Sequence, residues 1–232
     1  MKKLVLAAIL ELGVFVAGCA TADTAAKIDK TTNAKAENLS NELLDYFLSD
    51  CINNENKTSC QRLVDSDMLA SVEQCNKNTC NNLGRVFDAT ANYQQAMKYY
   101  QKAGDLGDAF GYHNMGILYD NGQGVQQNFH EAFKSYKKAC DLNFAPACAN
   151  IGNLYQQGQG VRQDFVNARK YFEKACNANK AMACNNLGVL YANGQGVKQN
   201  LSTAKQYYGK ACDLGSQNGC DNYKILNEQG VK

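Results

Sequence analysis

The sequence contains a motif that returns at a strict interval of 36 residues, and this interval constrains the fold more than any other feature. The motif reads Asn-x-Gly-x-Leu-Tyr and begins at Asn114, Asn150 and Asn186. Each copy is followed by Gly-Gln-Gly-Val and then by a run with apolar residues at helical spacing. Periods of this length indicate repeat architectures, because one short unit cannot bury its hydrophobic face alone. We therefore predict an all-α chain of stacked helix hairpins.

Capping residues and glycines predict where the second helix of each hairpin begins and ends. An Asn or Asp precedes each second run and is a favoured N-cap, and the paired glycines separate the two helices. The predicted second runs cover 128–143, 164–179 and 200–215. The hairpins are regular over 80–215 and degenerate over 39–79, and the residues at 216–232 form half a unit, which predicts a capping helix.

The beginning of the chain is typical of an exported protein. A short basic start and a mostly apolar stretch predict a signal peptide over 1–18. The stretch ends Val16-Ala17-Gly18-Cys19, which resembles the lipobox of bacterial lipoproteins. We expect Cys19 to carry a lipid and 19–38 to form a flexible tether. The protein is then an exported component of the cell envelope, anchored in the periplasm or at the outer membrane, or else secreted.

The sequence holds 11 cysteines, and lipidation of Cys19 leaves ten for the fold. In the regular hairpins the cysteines are eight residues apart and lie on either side of the turn between hairpins. At the same register upstream, Gly104 and Tyr112 replace both members together, as expected if the two members bond to each other. We predict five local disulfides: Cys51–Cys60, Cys75–Cys80, Cys140–Cys148, Cys176–Cys184 and Cys212–Cys220.

Metal and nucleic-acid binding are not expected. Zinc sites favour cysteines separated by two to four residues, whereas the regular pairs leave seven residues between them. His113 and His130 are the only histidines, and we interpret both as surface residues. A formal net charge of +2 lacks the strongly basic character of nucleic-acid binders. We predict no metal and no cofactor.

The motif, its Gly-Gln-Gly-Val loop and the alanine–aromatic second run resemble the Sel1-like repeat family, which is related to tetratricopeptide repeats. With the cysteine pairs and the export signal, the chain is similar to bacterial cysteine-rich Sel1-like proteins. This resemblance implies a right-handed α-solenoid whose first helices line the concave face. It also implies a β-lactam-binding or β-lactam-hydrolysing role, because proteins of this kind are often described as β-lactamases.

A stripe on the first helices is the candidate binding groove. Its positions differ between hairpins and follow a three–four–three spacing, which places them on one helix face. A groove of this kind would bind a protein, a peptide or a peptidoglycan fragment. The alternative is that the stripe varies because it contacts nothing. Its members are Phe110, His113, Ile117, Asp120, Asn153, Met182, Asn185 and Val189.

The residues themselves give weak support for an enzyme. Serine β-lactamases need Ser-x-x-Lys together with Ser-Asp-Asn and Lys-Thr-Gly. The first spacing occurs twice, as Ser202 with Lys205 and Ser135 with Lys138, whereas Ser-Asp-Asn does not occur. These four residues are the candidates for catalysis, and whether the protein is an enzyme stays open at this point.

Overall fold

The computed structural model describes residues 75–232. They all fall within the second of the two compact units of the chain, Leu48–Lys232. The predicted signal peptide, the lipidation of Cys19, the tether and the Cys51–Cys60 disulfide lie outside the described residues. The same holds for nearly all of the degenerate hairpins over 39–79.

The regular secondary structure of the described residues is entirely α-helical. Odd-numbered helices are the first helices of the hairpins and even-numbered helices are the second helices. Each helix packs against the next one along the chain, so the prediction of an all-α array of stacked helix hairpins is confirmed. The helices are α1 (Lys77–Ala89), α2 (Tyr93–Asp105), α3 (Ala109–Asn121), α4 (Phe129–Asp141), α5 (Ala145–Gln157), α6 (Phe165–Asn177), α7 (Ala181–Asn193), α8 (Leu201–Asp213) and α9 (Gln217–Glu228).

The predicted N-caps of the second helices are confirmed. Oδ1 of Asn128 accepts the backbone N–H groups of His130 and Glu131, each at 3.1 Å. Asp164 accepts the backbone N–H groups of Val166 and Asn167 at the start of α6, and Asn200 accepts that of Thr203 at the start of α8. These caps satisfy backbone donors that the first turn of a helix leaves unbonded.

The second helices end two residues earlier than the sequence predicts. Backbone angles explain the difference, since φ is 64° at Asn143, 59° at Asn179 and 88° at Gly215. A residue with positive φ cannot continue a right-handed helix. The chain instead closes a tight turn there and enters the first helix of the next hairpin.

The motif glycine allows the two helices of a hairpin to approach closely. A Cβ atom on Gly152 of α5 would lie 2.5 Å from Cε1 of Phe172 on α6, and a Cβ on Gly116 would lie 2.4 Å from Tyr136 on α4. The second glycine of the Gly-Gln-Gly-Val loop has a related role between hairpins. A Cβ on Gly160 would lie 2.3 Å from the backbone carbon of Phe129, at the start of α4. The repeated glycines are therefore contact points within and between hairpins.

Disulfides join the hairpins locally, as predicted for the described part of the chain. The bonds Cys140–Cys148 and Cys176–Cys184 cross the turns that follow α4 and α6, with Cα atoms 4.9 and 4.7 Å apart. Cys212–Cys220 crosses the turn after α8, and Cys75–Cys80 lies at the start of α1. At the turn that lacks cysteines, the ring of Tyr112 occupies the space beside Gly104, where a Cβ would lie 2.7 Å from the ring.

None of the helices in the described residues is long and apolar enough to cross a membrane.

Candidate binding surface

Side-chain amides link the first helices of neighbouring hairpins. The first Asn of each motif, and its counterpart Asn222 on α9, bonds to a side chain of the preceding first helix. We call this row of bonds the amide ladder. Its members are Asn114–Asn81 at 3.3 Å, Asn150–His113 at 3.3 Å, Asn186–Asn153 at 3.1 Å and Asn222–Asn185 at 3.0 Å. His113, Asn153 and Asn185 of the predicted groove therefore contact a neighbouring hairpin.

The choice of partner in the amide ladder follows from the chemistry of one repeat position. Asn81, His113 and Asn185 occupy the same position in their hairpins, and each can accept an N–H. On α5 that position is Ala149, which has no polar side-chain atom. The amide of Asn186 instead donates to Asn153, four residues further along α5. The residue at this repeat position therefore decides which side chain of the groove accepts the N–H of the next hairpin.

His113 lies in an aromatic pocket and is not the surface residue that the sequence suggests. Its ring lies 4.9 Å from that of Phe144 and 5.7 Å from that of Tyr136, measured between centroids. Burial lowers its pKa, and a hydrogen bond with Asn114 opposes this effect only in part. The ring is therefore held in its neutral form, which can accept the N–H of Asn150 at Nε2. The other histidine, His130, is exposed, with Nδ1 3.3 Å from the carbonyl oxygen of Gly160.

We expect His113→Asn to remove an acid-dependent loss of stability. Because folding lowers the pKa of His113, the unfolded chain binds the proton more readily. The stability that this histidine contributes is present above its ordinary pKa of about 6.5 and is lost as the pH falls below that value. Asn occupies the same position in two other hairpins, so the variant keeps an acceptor for Asn150. The measurement is Tm between pH 7 and pH 5, and a wild-type curve parallel to that of the variant contradicts the prediction.

Exposure divides the remaining members of the stripe into two groups. Ile117 and Val189 are half-buried and pack against the core between the helices. Phe110 and Met182 lie in the first turns of α3 and α7, with 53% and 74% of their surface exposed. Phe110 rests on Phe144, with ring centroids 4.5 Å apart. The structure therefore leaves two large apolar side chains open to solvent on the same face.

Asp120 is half-buried on the same face, and it belongs to a cavity. Oδ2 of Asp120 accepts the hydroxyl of Tyr136 at 3.1 Å. Burial raises the pKa of this carboxyl group, and the bond from Tyr136 opposes the shift. The cavity has a volume of about 360 Å³ and lies between α3 and α5. Its lining residues are Asp120, Asn121, Gln127, Phe129, Asn150, Asn153, Leu154, Gln157 and Gln159.

In both Ser-x-x-Lys pairs the lysine amine contacts groups other than the serine of the pair. Nζ of Lys205 donates to Oδ1 of Asn227 at 3.0 Å, and it lies 5.5 Å from the ring centre of Tyr223. Ser202 is exposed at the start of α8.

The second pair is divided by burial. Ser135 is buried within α4, whereas Lys138 is exposed and lies over the ring of Tyr112, 4.7 Å from its centre. Among the residues that the structure describes, no group of three or more His, Cys, Asp or Glu side chains could hold a metal ion.

Comparison with known families identifies the repeats. Residues 109–144, 145–180 and 181–216 each match the model of the Sel1 repeat, and residues 79–109 match a tetratricopeptide repeat. The chain contains three Sel1 repeats. No curated protein matches the sequence.

The chain is similar to proteins of known structure. The Sel1 repeat protein from Oxalobacter formigenes is 30% identical, with a TM-score of 0.61 over 64% of this chain and 61% of that one. Protein c5321, described as a protective antigen of uropathogenic Escherichia coli, is 26% identical, with a TM-score of 0.64 over 76% of this chain and 37% of that one. Cysteine-rich protein B of Helicobacter pylori is 35% identical, with a TM-score of 0.46 over 55% of this chain and 92% of that one. The chain thus spans less than two thirds of the length of the first two proteins.

The family explains the motif but not the amide ladder or the cavity. In these repeats the first residue of the motif, Asn, is a donor to the preceding hairpin. In the sequence, the amide ladder is indicated only by the recurrence of that Asn in every hairpin. The partners of the Asn depend on the spacing between the helices, which one segment of sequence does not show. The cavity gathers residues from two first helices, two loops and the first residue of α4, so no single segment of sequence indicates it.

Proposed function

We propose that this Sel1 repeat protein is an interaction module that binds an extended peptide segment of a partner protein. The binding surface is the first-helix groove, which consists of the eight residues predicted from the sequence together with the adjoining cavity. The observation that carries the proposal is this cavity, because Asp120 and Asn153 of the stripe also line it. Side-chain amides and two apolar residues, Phe129 and Leu154, complete the lining.

The amide ladder suits an extended peptide backbone. A side-chain amide has two N–H donors and a carbonyl oxygen with two lone pairs. Asn186 donates one N–H to Asn153, which keeps both of its own N–H groups for another acceptor. Packed helices are about 8–10 Å apart, and an extended chain rises about 3.3 Å per residue. One hairpin therefore corresponds to about three residues of peptide, and the ladder repeats its hydrogen-bonding groups at that interval.

Phe110 and Met182 supply the apolar contacts that the amides lack. Large side chains that fill pockets contribute most of the affinity at protein interfaces. These two residues lie on α3 and α7, two hairpins apart. A peptide that follows the ladder can place one apolar side chain on each.

The disulfides support export of the protein. Four bonds lie in the described residues, and such bonds are typical of extracytoplasmic proteins. The anchoring lipid at Cys19 and the membrane contact that it provides are part of the proposal. Binding of a peptidoglycan fragment and β-lactam chemistry stay predictions, because no contact in the described residues favours either one over a peptide.

The test is peptide selection followed by substitution. A random dodecapeptide display library is selected on the purified full chain, and the affinities of the selected peptides are measured by fluorescence anisotropy. We expect Phe110→Ser and Met182→Ser each to weaken binding about tenfold. Met182→Ser should leave Tm nearly unchanged, because 74% of that side chain is exposed, and Phe110→Ser should lower Tm only slightly, through the lost contact with Phe144.

The matched control is Val166→Ser, which removes an exposed apolar side chain from a second helix, α6. This variant should bind as the wild type does. Equal affinities for all three variants contradict the proposal. A loss of stability that parallels the loss of affinity would show instead that the two residues belong to the core.

A further inference from the structure

We infer that the cavity between α3 and α5 is a subsite for a cationic side chain, arginine in particular, of the peptide that the first-helix groove binds. The inference rests on the proposed function and specifies which ligand side chain the cavity selects. Three independent features of the cavity carry it: its only charged group, the helix ends beside it, and one aromatic ring.

Asp120 is the only charged residue that lines the cavity. Tyr136 bonds to one oxygen of its carboxylate, Oδ2, and the other oxygen remains available as an acceptor. The remaining polar groups of the lining are side-chain amides, which provide several carbonyl oxygens. A guanidinium has five N–H donors and no acceptor. It therefore matches a site that holds one carboxylate and several amide oxygens.

The helix ends beside the cavity have no cation of their own. The C-terminal end of a helix carries a partial negative charge from its unbonded carbonyl groups. Every second helix of the described residues has a lysine in its last turn, whereas α3 and α5 have no basic residue there. The lysines of the second helices are Lys102, Lys138, Lys174 and Lys210.

Neutral groups bond to the carbonyls at these two helix ends. Nε2 of Gln127 donates to the carbonyl oxygen of Asp120 at 2.7 Å, and Gln163 does the same at Gln156, at 2.8 Å. These bonds satisfy the oxygens without adding positive charge. The negative charge of Asp120 therefore adds to that of the helix end, and a cation from outside the chain lowers the electrostatic energy of both.

The ring of Phe129 favours arginine over lysine. The planar guanidinium stacks on aromatic rings and is more weakly hydrated than an ammonium group, so it enters a half-enclosed site at a lower desolvation cost. The volume of about 360 Å³ lies at the lower end of the range for ligand sites. A cavity of that size fits one side chain of a peptide rather than a longer segment.

The carboxylate of the subsite is absent from the two hairpins that follow. The position of Asp120 is taken by Gln156 on α5 and by Ala192 on α7, so the negative charge does not recur further along the groove. Upstream, Asp88 makes the same bond to a tyrosine, Tyr100, at 3.2 Å, but it does not line this cavity. Asp88 is therefore a matched control for the carboxylate–tyrosine pair.

The experiment combines the selected peptides with a small probe. Peptides from the display library are compared with versions in which each arginine becomes citrulline, which has the shape of arginine without its charge. Nα-acetyl-arginine amide is titrated against the full chain by NMR, with the side-chain amide signals of Asn153 and Gln157 as the readout. Nα-acetyl-citrulline amide and Nα-acetyl-lysine amide are the comparison probes.

We expect the selected peptides to be enriched in arginine, and citrulline or Asp120→Asn to weaken their binding about tenfold, which is the loss of one charge-assisted hydrogen-bonded contact. Asp88→Asn should leave the affinity within about twofold of the wild type. The arginine probe should shift the two amide signals more than the lysine probe does, and citrulline should not shift them.

Peptides that bind with no preference for arginine and no effect of Asp120→Asn overturn the inference and leave the proposed function intact. Failure to select any peptide overturns the proposed function, and silent amide signals in the same sample overturn the subsite.

Discussion

Replacing Gly152 with alanine is expected to lower the free energy of unfolding, because overpacking a well-packed core usually costs about 1–3 kcal/mol. The added methyl group would lie 2.5 Å from Cε1 of Phe172, a side chain that is fully buried and cannot move away without displacing α6. Alanine ordinarily stabilises a helix relative to glycine by about 0.5–1 kcal/mol, so the observed loss is the steric cost less this gain. Urea unfolding measures it through the midpoint and the slope.

The control for this prediction is Gly209→Ala on α8. A Cβ at Gly209 would lie 3.3 Å from the ring of Tyr223, which is 39% exposed and can shift. The helix preference for alanine should then dominate, and the variant should be as stable as the wild type or more stable. If Gly152→Ala unfolded at the same urea concentration as the wild type, the close contact between the motif glycine and the aromatic ring would be disproved.

The repeated residues of the chain made most of the fold predictable. Asn128, Asp164 and Asn200 act as N-caps through contacts with the next three residues, and such local contacts can be read from one segment. The cysteine pairs were predictable for a related reason. Gly104 and Tyr112 depart from the pattern together, which indicated that the two positions are in contact.

The candidate site was less predictable because its contacts join different hairpins. The variable stripe predicted a binding groove that includes Asn153 and Asn185, but it gave no sign that both accept hydrogen bonds from the next hairpin. His113 was interpreted as a surface residue because no local pattern shows that Phe144, from the following turn, packs against it. Contacts of this kind depend on the distance between stacked helices, which the sequence does not encode locally.

The turns between hairpins have one geometry with or without a disulfide. Two residues after the end of α2, where cysteines are absent, φ is 86° at Gly107, and it is 64° at Asn143, where Cys140–Cys148 is present. The same backbone bond closes both turns, from Asp108 N to Ala103 O and from Phe144 N to Ala139 O, each at 3.0 Å. The disulfides therefore stabilise a turn that the backbone forms by itself.

Removing one disulfide is accordingly expected to reduce stability without changing the fold. For Cys176→Ala with Cys184→Ala, the chain-entropy relation for a loop of nine residues gives a loss of about 2.6 kcal/mol. Both sulfur atoms are also fully buried, so lost packing adds to this value.

The matched control is Cys212→Ala with Cys220→Ala, which opens a loop of equal length at half-buried positions and should cost less. Far-UV circular dichroism should be unchanged for both variants while the urea midpoint falls, because Gly104 and Tyr112 show that the array tolerates an unbonded turn. Loss of helical signal in the first variant would mean that the bond is required to form the turn, and equal losses of stability in the two variants would exclude a packing contribution.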